Sequence, residues 1–135
     1  MAEGLFRKAA GPDYEVSSAG VAAYPGSAAS RETLEILAKK EAPLETFQSR
    51  MVDEEMLREA DAVFCMTEPH LARLEQLFPE HEEKYHLVCD FLEINGVVGA
   101  DVPDPIGMGM QAYLDVAKVL EAGIEGILGF LKSRE

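Results

Sequence analysis

Ala62-Val-Phe-Cys-Met is an unbroken apolar run closed at its ends by Asp61 and Thr67. It is too short for a buried helix and does not alternate with polar residues, so it predicts a strand covered on both faces. A strand of that kind belongs in a parallel sheet with helices above and below, and the flanking segments supply them. Glu68 to Phe78 reads as a helix with Leu71, Leu74, Leu77 and Phe78 on one side, and Tyr85 to Cys89 reads as a further strand.

The rest of the chain follows the same alternation. Met1 to Ala10 reads as a helix, with Met1, Leu5, Phe6 and Ala9 on its apolar side and Glu3, Arg7 and Lys8 facing water; Gly11-Pro12-Asp13 stops it. Tyr14 to Ser18 is a short strand ending at Ala19-Gly20. Ser27 or Ser30 caps a helix that carries Leu34, Leu37 and Ala38 inward, and Asp53 caps a short helix running to Arg58. After a loop from Asn95 to Gly109, a long stripe of Met110, Tyr113, Leu114, Ala117, Leu120, Ile124, Ile127, Leu128 and Leu131 marks the last helix. Gly123, Gly126 and Gly129 weaken that helix but permit close packing. The pattern predicts one α/β domain over residues 1–135, an open parallel sheet with helices on both faces. Only three strands are visible, and no strand or N-cap residue precedes the first helix.

Charge narrows the function classes. Acidic residues outnumber basic ones 25 to 12, for a net charge of −13, a field that repels nucleic acid and anionic lipid. No apolar run reaches the roughly 18 residues of a membrane span, and no leader-like segment opens the chain, so we expect a cytoplasmic protein. The two cysteines, Cys65 and Cys89, have neither metal-ligand spacing nor disulfide density, and no cofactor is expected. Cys65 reads as an inert core thiol. Cys89, at a strand end, is more open to chemistry, but no histidine is placed to activate it. His70, His81 and His86 read as surface or strand-edge residues without a role.

Ligands in open parallel sheets bind at the carboxyl ends of the strands. Those ends carry Ser17-Ser18-Ala19-Gly20, Cys65-Met66-Thr67 and Asp90, with the loop Asp101-Val-Pro-Asp-Pro-Ile-Gly within reach. Ser18 either supports a neighbouring loop or satisfies local backbone. Asp104, held before Pro105 in an extended conformation, suits a general acid poised over a pocket, though by itself the segment reads more simply as an Asp-Pro turn.

In succession, several segments resemble the low-molecular-weight protein-tyrosine phosphatase family, and within it the bacterial branch that includes protein-arginine phosphatases. They are Met-Ala-Glu-Gly-Leu-Phe-Arg at 1–7, Ser-Ala-Gly at 18–20, Ala-Asp-Ala-Val-Phe-Cys-Met-Thr at 60–67, Leu-Phe-Pro at 77–79 and Asp-Val-Pro-Asp-Pro-Ile-Gly at 101–107, followed by Tyr113. Each piece is weak alone; their order and spacing across the whole chain are specific. The resemblance implies a phosphotyrosine phosphatase I-like fold and hydrolysis of phosphorylated protein side chains through a phosphocysteine. Asp104 would be the general acid and base, Ser18 a support of the phosphate loop, and Ile106 with Met108 an apolar pocket wall in place of paired tyrosines. A histidine of the family's supporting network is matched by Phe47.

The same resemblance accounts for the uncapped first helix. Family members carry a first strand and a Cys-x-x-x-x-x-Arg-Ser loop immediately before it, and these 135 residues contain no such motif. The expectation is therefore a chain lacking its first strand and its nucleophile, through a misplaced start or the choice of boundary, and inactive as given. Two rivals stand behind it. One is a binding descendant that has lost catalysis, and the other, more distant, is a thiol-dependent arsenate reductase, for whose relay Cys65 and Cys89 lie in the wrong places. Tyrosine against arginine as substrate, and the oligomeric state, stay open.

Overall fold

The computed structural model describes residues 1–20, 29–42, 49–91, 93–94, 97–98, 101–103, 105 and 107–134. Helix α1 spans Ala2–Ala10 and ends where Gly11 turns to φ 67°, opening a 3-10 turn over Gly11–Asp13. Glycine takes that left-handed φ at little cost, which is why the helix stops there. Helix α2 spans Arg31–Lys39 and starts at Ser30, whose Oγ accepts the Thr33 N–H at 3.2 Å. Helix α3, Glu54–Glu59, starts at Asp53, whose carboxylate accepts the Met56 N–H at 2.8 Å. Each cap satisfies one of the N–H groups a helix leaves without an internal partner.

Strand β1, Val63–Cys65, runs parallel to β2, Tyr85–Leu87, with Val63 opposite Tyr85, Phe64 opposite His86 and Cys65 opposite Leu87. Helix α4, Glu68–Leu77, is the crossover that such a parallel pair requires. Alternation along β1 sends its side chains to opposite faces, as expected of a strand covered on both sides. Cys65 joins Leu57 of α3, Leu74 of α4, Tyr85 and Leu87 in one cluster. Phe64 and Met66 pack on the other side, where α1, α2 and the long helix α5, Met110–Ser133, share the main core. Phe6 of α1 lies 6.4 Å from Phe64, ring centre to ring centre. A short antiparallel pair, β3 (Glu93–Ile94) and β4 (Val97–Val98), lies inside the loop expected from Asn95 onward and just before it.

Several expectations are corrected. Tyr14 to Ser18 joins no ladder among the described residues; parallel pairing begins at Gly20, which is bridged to Met51. Guanidinium groups take two of that segment's carbonyls: Arg7 donates to Val16 O at 2.8 Å and Arg50 to Ser18 O at 3.1 Å. The strand expected to reach Cys89 ends at Leu87, because Val88–Phe91 winds into a 3-10 turn that packs on α5. On α2 the inward face is Thr33, Ile36 and Leu37, while Leu34 is 42% exposed and Ala38 also faces out. Leu77 at the end of α4 and Leu114 on α5 are likewise exposed, and Val116, absent from the expected stripe, is buried. Among the glycines of α5, Gly126 lies against Phe91, where a Cβ would stand 2.4 Å from its carbonyl oxygen, whereas Gly129 has open space. No described helix is long and apolar enough to cross a membrane.

Candidate active site

The carboxyl end of β1 carries the most connected polar corner near the expected acid loop. Met66 O accepts the Val102 N–H at 2.8 Å, tying the loop to the strand end. Thr67 caps α4 by accepting the His70 N–H at 3.3 Å, and Asp101 Oδ1 accepts the Glu68 N–H at 2.7 Å. Val102 itself is buried in the main core. Asp104 and Ile106 lie outside the described residues, as does Phe47. Beyond them the chain closes in a turn, with the Met108 N–H on Pro105 O at 2.9 Å and Gly107 at φ 77°, before Gly109 at φ 84° leads into α5. Met108, expected as pocket wall, is 70% exposed.

Ser18 lies on the segment after α1, and its hydroxyl donates to Glu3 Oε1 at 2.8 Å. The other carboxylate oxygen of Glu3 takes Arg7 at 3.1 Å, so one buried-side carboxylate on the first turn of α1 organises both. Glu3 was expected to face water; its side chain is only 11% exposed, because Ser18 and Arg7 close over it. The structure thus brings Ser18, Glu3, Arg7 and Arg50 together. Sequence reasoning gave Glu3 and Arg7 to the solvent side of a helix and assigned nothing to Arg50 or Asp101. Glu3 and Arg7 pair at helical i,i+4 spacing, but their other partners and those of Arg50 and Asp101 lie nine to 33 residues away, at separations where no helical or strand period speaks.

Both thiols are chemically quiet. Burial, with Glu75 adding to it, pushes the Cys65 thiol up to about 11. Cys89 is wholly buried in the Val88–Phe91 turn, and burial, then Asp101 and Asp90, push its thiol up as well. A thiolate nucleophile needs the opposite environment. The two cysteines also belong to separate core clusters, which does not fit a thiol relay.

The histidines divide. His70 is exposed, whereas His86, half-buried on β2, stacks 5.5 Å from Phe64 and meets Phe130 at 5.2 Å and Phe91 at 6.1 Å. Burial, with a smaller effect of Arg134, lowers its pKa, and Asp90 offsets part of that. The Nε2 atoms of His81 and His86 are buried without a hydrogen-bond partner. Among the described residues no group of three or more His, Cys, Asp or Glu is placed to hold a metal ion.

Comparison with known proteins accords with this fold. The family model for low molecular weight phosphotyrosine protein phosphatase matches residues 1–135. A protein-arginine-phosphatase of Bacillus subtilis (strain 168) is 32% identical over 124 residues, which cover 90% of this chain and 80% of that protein. The solved structure of the YwlE arginine phosphatase from Geobacillus stearothermophilus superposes with a TM-score of 0.86 at 29% identity, over 98% of this chain and 84% of that one. A low molecular weight protein tyrosine phosphatase from T. tengcongensis gives a TM-score of 0.84 at 33% identity, over 95% and 87%. The chain is a member of the low molecular weight phosphotyrosine protein phosphatase family.

Proposed function

We propose that this chain is the acid-bearing part of a cytoplasmic phosphatase that removes phosphate from protein side chains through a phosphocysteine. Support comes chiefly from the double anchoring of the loop before Asp104: Val102 to Met66 O at 2.8 Å and Asp101 to the Glu68 N–H at 2.7 Å. Those bonds hold Asp101 and Val102 at the carboxyl end of a parallel strand, where such sheets bind ligands.

In this reading a thiolate attacks phosphorus, forming an S–P bond as the bond to the leaving atom breaks. Asp104 gives its proton to the leaving atom, then as carboxylate takes a proton from the water that cleaves the phosphocysteine. Backbone N–H groups and an arginine of a Cys-x-x-x-x-x-Arg loop stabilise the phosphoryl oxygens. That loop is not among these 135 residues, and Cys65 and Cys89 are buried and protonated, so the chain by itself does not hydrolyse phosphate esters. Ser18 supports the loop from the Glu3 side. The relatives named as arginine phosphatases, and an acid loop with Ile106 and Met108 in place of paired tyrosines, weight the substrate toward phosphoarginine, with phosphotyrosine second.

The test joins an apolar strand and a Cys-x-x-x-x-x-Arg-Ser segment to Met1. Hydrolysis of an aryl phosphate is expected, and Asp104→Asn should lower turnover by about 10²–10⁴ while inorganic phosphate still competes. A folded product that binds phosphate without turnover would instead support a non-catalytic binding descendant. The absence of a reactive thiol among the described residues is the observation favouring that second reading.

A further inference from the structure

We propose that the groove between α2 and α5 is a docking site for a short protein segment in which one apolar residue is flanked by aspartate or glutamate. The groove has a volume of about 220 Å³ and is lined by Glu35, Ile36, Lys39 and Lys40 on one side and by Met110 and Leu114 on the other. Ile36 is buried and Met110 half-buried, while Leu114 stays 37% exposed, so the apolar wall opens to water. Methionine and leucine at an open wall adapt to the shape of an incoming apolar side chain. Lysine stems extend that wall, because they lie along apolar surface and keep their charged heads in water.

Charge on the rim selects the partner. This chain carries 25 acidic residues against 12 basic ones, yet the free charge around the groove is positive. The nearby carboxylates are already engaged: Glu35 by Arg31 at 3.1 Å, Glu121 by Lys40 at 2.9 Å and Asp115 by Gln111 at 2.9 Å. Lys39, and Lys118 one helical turn beyond Leu114, are exposed and form no ion pair with the described residues. The Lys40–Glu121 pair is itself open to water, with side chains 33% and 48% exposed, so an incoming carboxylate exchanges for Glu121 at little cost. From α1, Lys8 reaches the Lys40 carbonyl and brings a further ammonium to the same corner. Carboxylates on either side of an apolar anchor complete this pattern, and cationic flanks oppose it.

Size settles the kind of ligand. Sites for drug-sized molecules run from roughly 300 to 1,000 Å³, so this groove suits one anchor side chain rather than a cofactor or a long acyl chain. A second copy of this chain fits less well, since a two-fold contact through the groove would set the same lysines against each other. None of the lining residues takes part in the proposed phosphate chemistry, so binding is read in the 135-residue chain itself.

The probe is a pool of end-capped pentapeptides with Leu, Ile, Met or Phe at the centre and Asp or Glu at every other position. In amide NMR spectra of the isotope-labelled chain, the pool should shift Lys39, Lys40, Met110 and Leu114 with a Kd of about 1 mM or tighter. Alanine at the centre should weaken binding about tenfold or more, and Lys or Arg at the flanks should abolish it. Lys39→Glu and Leu114→Glu change exposed positions and should fold as the parent does, checked by circular dichroism, yet lose the shifts; Lys39→Arg should keep them. Equal binding by the alanine-centred pool, binding by the basic pool, retention in Lys39→Glu, or no shift at about 5 mM would overturn the proposal. Hexadecanoate shifting these amides where the peptides do not would make the occupant an acyl chain instead. Broadening of the same amides when the chain is concentrated alone would make it a second copy, and either result overturns the peptide assignment.

Discussion

Replacing Gly126 by alanine sets two effects of known sign against each other. Within a helix, Gly→Ala stabilises by about 1 kcal/mol through backbone entropy and propensity. At Gly126, however, the new Cβ would stand 2.4 Å from Phe91 O and 3.0 Å from Phe91 Cβ, about 1 Å inside ordinary contact with a backbone carbonyl. That carbonyl belongs to the 3-10 turn holding Cys89 in the core, so it cannot swing aside as a side-chain tip would. Overpacking of this kind costs about 1–3 kcal/mol, which leaves Gly126→Ala between neutral and about 2 kcal/mol destabilised. Gly129, one turn on, has no neighbouring atom within 4 Å of its Cβ position, so Gly129→Ala should keep the whole propensity gain of about 1 kcal/mol. Urea unfolding followed by circular dichroism at 222 nm measures both, and the gap between them isolates the Phe91 contact at about 1–3 kcal/mol. In thermal melts 1 kcal/mol is worth roughly 3–5 °C for a chain of this size. Two variants within about 0.5 kcal/mol of each other, or Gly126→Ala more stable than the parent, would refute the packing argument.

Other outcomes follow from the same structure. Leu37→Ala, at a wholly buried position, should cost about 2–5 kcal/mol, and Leu34→Ala, 42% exposed on the same helix, less than about 1 kcal/mol; similar losses by urea unfolding would contradict the observed face of α2. His86 has its pKa lowered by burial, so above pH 6.5 both folded and unfolded chains hold it neutral and it contributes no pH dependence. Below that, the unfolded chain takes up the proton first, and stability falls as pH drops toward the folded pKa. The urea midpoint should therefore decline between pH 7 and 5.5 more steeply in the parent than in His86→Phe, and parallel declines would remove His86 as the cause. In the folded chain both thiols should resist iodoacetamide at pH 8 and react once urea is added, since Cys65 is held at about 11 and Cys89 is wholly buried; rapid labelling without urea would show that either is reachable.

The segments most legible in the sequence were those whose signal is local and periodic. The apolar run at 62–66 announced a strand buried on both faces, and the structure places Cys65 on one side and Phe64 on the other. Helix caps at Ser30, offered beside Ser27, and at Asp53 were readable because a cap bonds only three residues ahead. Tyr14 to Ser18 misled for the opposite reason: a strand is completed by a neighbour, and no ladder forms there among the described residues. The rotation of α2 was missed because Leu34 and Ile36 look equally apolar in sequence, and only packing against α5 selects between them.

For the site, Asp104 and Ser18 were named from sequence and family resemblance, but what surrounds the first turn of α1 and the approach to the acid loop was not. Glu3 turned inward because Ser18 and Arg7 converge on it, and Asp101 found the start of α4. Composition, periodicity and capping chemistry act over a few residues, so the sequence by itself determined the helices, the buried parallel strands, the α/β class and the family. Register between distant segments is decided by which buried surfaces and unpaired N–H groups meet on folding. Tertiary structure alone therefore decided that His86 sits among aromatic rings, that Cys89 is silenced by burial, and that Asp101 is fastened to the strand-to-helix junction.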